Sequence, residues 1–212
     1  MKKIRKSNEH EMIFEFLRGE LGSNRFKEKL KDVLIKLDLN EDIIKKGNIN
    51  NEEENQLRFK IMKKYRGYPD EGLFKNFPKI DEWYLMRLSV SDIDKIYYID
   101  YDYWNELSNN TSKPLEAVKV IKSGKEIYNV SNKPFLDGVE FLKGNSFPPI
   151  ILITCNDERY LIIEGNSRMT IYGFMPNQIE GSLAYVGYCS KDEMKKYDSR
   201  MLSGESLKSK KY

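Results

Sequence analysis

Histidine is nearly absent: the 212 residues include one, His10. Cysteine is scarce too, with Cys155 and Cys189 far apart and in no CxxC pattern. A zinc site needs a cluster of His and Cys ligands at short spacings, so none is expected, and no residues are assigned as metal ligands. The same scarcity argues against a Ser-His-Asp or Cys-His nucleophile system, because His10 stands near the N-terminus, remote from the motif below. The two cysteines read as buried, reduced thiols. Long apolar runs are missing as well. Nothing approaches the roughly 20 residues of a membrane span, so no membrane partner is expected. Met1 to Lys6 is basic, but no apolar segment follows it, so no secretory signal is expected and a cytoplasmic location is. Finally, no single sign of charge dominates. The net charge is +3, with Lys and Asp/Glu interspersed along the chain. A dedicated duplex-DNA binder concentrates basic residues on one face, so nucleic acid is possible as a partner but not favoured.

What is present is a globular composition, 40% hydrophobic and 33% charged, with enough length for one domain and a substantial extension, or for two small domains. Residues 1–80 read as a helical N-terminal extension. Phe26, Leu30, Val33, Leu34 and Leu37 recur at helical spacing. Asn51 and Glu54 form a capping-box pair ahead of an apolar face of Leu57, Ile61, Met62 and Tyr65, and Gly67 with Pro69 ends that helix. The loop from Asp70 to Pro78 carries Leu73, Phe74 and Phe77, expected to anchor it to the second part of the chain. Arg58, Arg66 and Tyr68 are candidates to line a cleft between the two parts, against ordinary caps or salt bridges.

Residues 81–202 read as an α+β domain, and 203–212 as a disordered polar and basic tail. Tyr84 to Leu88 suits a strand. Ser91 and Asp94 suggest a short capped helix, and Ser112 with Pro114 starts another, closed by Gly124. Asn132 and Pro134 open a helix with Phe135, Val139 and Leu142. Pro149 to Thr154 is a buried strand, Asn156-Asp157-Glu158 a hairpin turn, and Tyr160 to Ile163 the return strand. A helix from Ser167 to Met175, a strand from Ser182 to Tyr188 and a helix capped by Ser190 and Glu193 complete the order. The aromatic run Tyr97 to Trp104 reads as core, because Asp100 and Asp102 within it would repel the phosphates of a stacked nucleic acid.

The candidate site is Glu164-Gly165-Asn166-Ser167-Arg168, between a strand and a helix. The first N–H groups of a helix lack intrahelical partners, and the helix dipole adds positive potential there. Gly165 permits unusual dihedrals and close approach. Asn166 and Ser167 add polar side chains, and Arg168 adds a fork suited to phosphate. Together they predict a phosphate or carboxylate site. The competing reading is a capped helix whose Arg168 pairs with a local carboxylate such as Glu164.

Three patterns in order, Leu88 to Ile99, Phe135 to Leu152 and Ile162 to Tyr172, make the stretch from Tyr84 to Tyr188 resemble the ParB/sulfiredoxin-like superfamily. The resemblance implies a small mixed sheet and phosphate chemistry, with Gly165, Asn166, Ser167 and Arg168 as the phosphate-contacting box. It implies a nucleoside triphosphate or another phosphorylated small molecule as ligand, with Mg2+, and NTP hydrolysis or phosphoryl transfer as the activity. Sulfiredoxins carry Cys and His where this chain has Asn166 and Ser167, so sulfinic-acid reduction is not expected. Partition proteins carry a helix-turn-helix domain after this region, and the 24 residues from Cys189 to Tyr212 are too few for one.

Phosphoryl transfer needs a metal-holding or water-orienting group. Glu164 and Glu140 are the candidate catalytic carboxylates, with Asp137 and Glu116 behind them; Lys133 and Lys143 could reach a phosphate. A nuclease or nucleic-acid-binding protein, and a non-catalytic sensor or inhibitor that captures a small anion, are the alternatives.

Overall fold

In the computed structural model, which describes residues 1–23 and 25–202, the basic stretch Lys2–Ser7 is a strand, β1. Helix was expected there. Five of its six residues are exposed, and it lies at the edge of a sheet. Lysines suit such an edge, and pairing with a neighbour outweighs a weak local signal. The expected tail, 203–212, lies outside the described residues.

The chain divides into two compact units, Ser7–Lys79 and Met1–Lys6 with Ile80–Tyr212. The first holds α1 (Glu9–Leu21), α2 (Lys27–Lys36), the single turn α3 (Asp42–Lys45) and α4 (Glu52–Arg66). Asn51 caps α4 by accepting the Glu54 N–H, and Gly67, at φ 81°, closes it. Met12, Phe16, Leu30, Leu34, Ile61 and Met62 form the buried centre. The loop aromatics serve this same unit: Phe74 is buried, with its ring against Phe16, Tyr68 and Phe77. Arg58 is buried rather than presented to a ligand. Its guanidinium donates to Glu54, Asn55 and the carbonyls of Ile43 and Asn48, and lies over the Phe14 ring. Arg66 pairs with Glu20, and Tyr68 bonds Glu9.

The second unit is α+β. Its strands are β1, β2 (Ile80–Arg87), β3 (Ile96–Tyr97), β4 (Ile150–Thr154), β5 (Tyr160–Glu164) and β6 (Leu183–Cys189). They form one six-stranded mixed sheet, order β1-β2-β6-β4-β5-β3. β6 runs antiparallel to β2 and parallel to β4; β5 runs antiparallel to β4 and parallel to β3. Every residue of β4 is buried, as expected of a strand covered on both faces. The helices are α5 (Asp102–Leu107), α6 (Pro114–Lys122), α7 (Lys133–Leu142), α8 (Asn166–Phe174) and α9 (Lys191–Tyr197). The short helix expected at Ser91 is a 3-10 segment, Val90–Lys95, capped by Ser89 and Asp92, two residues earlier than expected. The aromatic run is core at Tyr98, Tyr103 and Trp104, while Tyr101 is exposed.

Helix α8 packs between α6 and α7. The approach to α7 is close enough that a Cβ on Gly138 would meet Ile171 at 2.3 Å. Tyr98, fully buried and stacked on Trp104, bonds the Thr170 hydroxyl at 2.6 Å. Thr170 in turn donates to the Asn166 carbonyl at 2.9 Å. These contacts tie α8 to α7 and to the residue that follows β3. Among the described residues, no helix is long and apolar enough to cross a membrane.

Candidate functional site

The strand leading into the motif carries a β-bulge. Ile151 faces Glu164, but the next residue, Leu152, faces Ile162, so Ile163 is the extra residue on β5. Bulges re-aim the side chains that follow them and recur beside functional sites. Here the bulge immediately precedes Glu164 and Gly165.

Gly165 is the residue before α8, at φ 105° and ψ 20°. This is the left-handed side of backbone space, where a Cβ is strained. A Cβ there would also meet Ile150 Cγ2 at 2.6 Å. The turn therefore needs glycine twice over, by dihedral and by room. No side chain caps α8, as is also true of α2, α3, α5, α6 and α7, whereas α1, α4 and α9 are capped by Asn or Ser. The first N–H groups of α8 are therefore left to water or a ligand. Ser167 is exposed at that end. Asn166 is half-buried, and its Oδ1 is enclosed without a hydrogen-bond partner.

Arg168 points back rather than outward. Its Nη1 donates to the carbonyls of Pro148 and Pro149, each at 2.7 Å, and Nη2 forms an ion pair with Glu164. Both side chains are mostly buried. The competing expectation, local pairing of Arg168 with Glu164, thus describes this arrangement. The guanidinium ties the strand entry at Pro148-Pro149 to the turn at Gly165 and places its charge beside the helix start.

The other expected residues lie elsewhere on the surface. Glu140 is exposed on α7, with both carboxylate oxygens bonded by Lys143 at 2.7 and 2.8 Å. Asp137 is held likewise by Lys133. Glu116 pairs with Lys119. Among the described residues, no three His, Cys, Asp or Glu side chains converge as a metal site. A resident Mg2+ does not fit these donors: Glu164, the carboxylate of the turn itself, is engaged by Arg168. Mg2+ chelated by a ligand's own phosphates would arrive with that ligand.

Three features of the site were missed. The bulge depends on pairing between β4 and β5 and leaves no local signature. The Pro148 and Pro149 carbonyls act on Arg168 from the other end of the hairpin. The Tyr98–Thr170 bond joins two segments distant in sequence. The Pro-Pro pair was the one available signal, since two successive residues without N–H groups leave a strand entry rich in acceptors.

Comparison of the chain with protein-family models, with curated proteins and with solved structures gave no match.

Proposed function

We propose that the turn into α8 binds phosphate, and that the protein's ligand is a nucleotide or another phosphorylated small molecule. The observation that carries this reading is the uncapped start of α8 behind a glycine in the left-handed region. There the helix dipole and the first-turn N–H groups favour an anion. The exposed Ser167 hydroxyl adds a donor; Arg168, whose charge is balanced by Glu164, holds the turn in place from behind. We also propose that the sheet unit is of the ParB/sulfiredoxin-like type. The succession of β4, hairpin, β5, glycine turn, α8 and β6, with a 3-10 segment and helices before it, supports that assignment.

Two outcomes can follow binding. One is NTP hydrolysis or phosphoryl transfer. The other is capture of the anion by a non-catalytic sensor or inhibitor. The placement of the carboxylates favours capture: Glu164 is held by Arg168 and Glu140 by Lys143.

The test is thermal denaturation of the full chain with ATP, CTP, GTP, pyrophosphate and inorganic phosphate, each with and without Mg2+. A ligand at about 100 times its Kd stabilises by about 2.7 kcal/mol, a readable rise in Tm. At least one of these ligands is expected to give that rise. Ser167→Asp is expected to abolish it while keeping its own Tm, because an acid in the first turn suits the helix dipole but repels phosphate. If no ligand in the panel shifts Tm, or Ser167→Asp responds like the parent, the reading fails. Phosphate release from the bound NTP would select catalysis over capture.

A further inference from the structure

Cys155 and Cys189 are distant in sequence, yet the sheet brings them together. β4 and β6 run parallel in a register that places Thr154 beside Tyr188. Cys189 is the last residue of β6, and Cys155 is the first residue after β4. The paired residues just before them sit at the spacing of adjacent strands, about 5 Å, and a disulfide spans Cα atoms roughly 4.4–6.8 Å apart. A direct contact agrees with the register: the Cys189 S–H donates to the Thr154 carbonyl at 3.6 Å, the carbonyl of the peptide bond that leads to Cys155. Both cysteines are free thiols. Cys155 is the first residue past β4, where the chain bends into the hairpin, so its backbone is not held by the ladder on both sides.

We propose that Cys155 and Cys189 form a peroxide-responsive modification site that closes to an intrachain cross-strand disulfide.

The two thiols differ in a way that orders the steps. Cys155 is half-buried, and Cys189 is buried. Burial pushes the Cys155 thiol up, but the Lys191 cation opposes this. Burial, then the nearby Cys155, Asp81 and Glu193, push the Cys189 thiol up to about 12. Burial raises both thiols, so access orders the steps: Cys155, the more exposed of the two, is the residue that meets the oxidant. Its thiolate attacks one peroxide oxygen, the O–O bond breaks, and hydroxide leaves, giving the Cys155 sulfenic acid. The Cys189 sulfur then attacks the Cys155 sulfur. The S–O bond breaks, and the departing hydroxide takes up the Cys189 proton as water. Two thiols and one hydrogen peroxide become one disulfide and two waters; the thiols are oxidised and the peroxide reduced.

The bond would fasten the hairpin between β4 and β5 to the residue before the Ser190 cap of α9. The experiment exposes the full reduced chain to a graded series of hydrogen peroxide, blocks residual thiols under denaturing conditions, and digests without reductant. Cleavage after Lys143, Arg159, Arg168 and Lys191 puts the two cysteines on separate peptides. The expected result is a loss of two hydrogens from the intact monomer, a Cys155–Cys189 linked peptide, and reversal by a dithiol. In Cys189→Ser, Cys155 is expected to progress to sulfinic and sulfonic acid. Parent chains in which Cys155 reaches those acids while Cys189 remains alkylatable would overturn the proposal. So would dimers linked through Cys155.

Discussion

At the residue scale, the charged groups of this protein act locally. Arg168 holds Glu164 and two proline carbonyls, and Arg58 is enclosed by its own helix and the loop before it. Asp157, in the hairpin turn, behaves similarly. Burial alone would push its carboxyl up, but hydrogen bonds from Tyr188 at 2.5 Å and Tyr160 at 2.8 Å, with Lys3 and Lys95 nearby, outweigh that and hold it below the usual range. A carboxyl whose folded pKa is depressed contributes stability that is complete above its unfolded pKa, about 3.9, and is lost as pH falls through the folded value. The parent and Asp157→Asn, compared by urea denaturation from about pH 6 downward, should therefore differ most at the upper end and converge below about pH 4. A gap that stays constant across that range would remove this role from Asp157. The composition of the site was legible at this scale: Gly165, the helix start and the pairing of Arg168 with Glu164 all follow from adjacent residues. The proline carbonyls left only the Pro148-Pro149 pair as a signal, because a backbone acceptor does not show in a sequence which donor it will meet.

At the scale of elements, local signals and pairing signals separate cleanly. Asn51, Ser190 and Gly67 mark their helix ends in the sequence, because capping is a contact between near neighbours. β1, the bulge at Ile163 and the meeting of Cys155 with Cys189 depend on which strand lies beside which, and no local pattern encodes that. The seating of α8 also belongs here. Tyr98 bonds Thr170 inside the core, and Thr170 bonds the first residue of the helix. Valine at Thr170 keeps the shape and deletes the hydroxyl, leaving a fully buried Tyr98 hydroxyl without its partner. Thr170→Val should cost about 1–3 kcal/mol in urea denaturation. Tyr98→Phe added to Thr170→Val should cost less than the sum of the two single changes, because the second removal leaves no orphan. Strict additivity would show that the bond does not couple the helix to the segment after β3.

At the scale of the whole molecule, the chain joins a helical unit with its own buried centre to an α+β unit with a six-stranded mixed sheet. The α+β class followed from the order of apolar runs and capping signals. The second unit also takes in Met1–Lys6, whose basic sequence carried no strand signal. The phosphate site proposed at the start of α8 belongs to this scale too, since it stands where β5, the β4 entry and α8 meet. Amide nitrogen–proton NMR of the full chain, titrated with pyrophosphate and then with ATP, tests it most directly. Saturable shifts are expected, largest at the Gly165, Asn166 and Ser167 amides, with none at those amides in Ser167→Asp. Shifts confined to exposed lysines such as Lys60 and Lys63 on α4, with the Gly165–Ser167 amides unmoved, would contradict it.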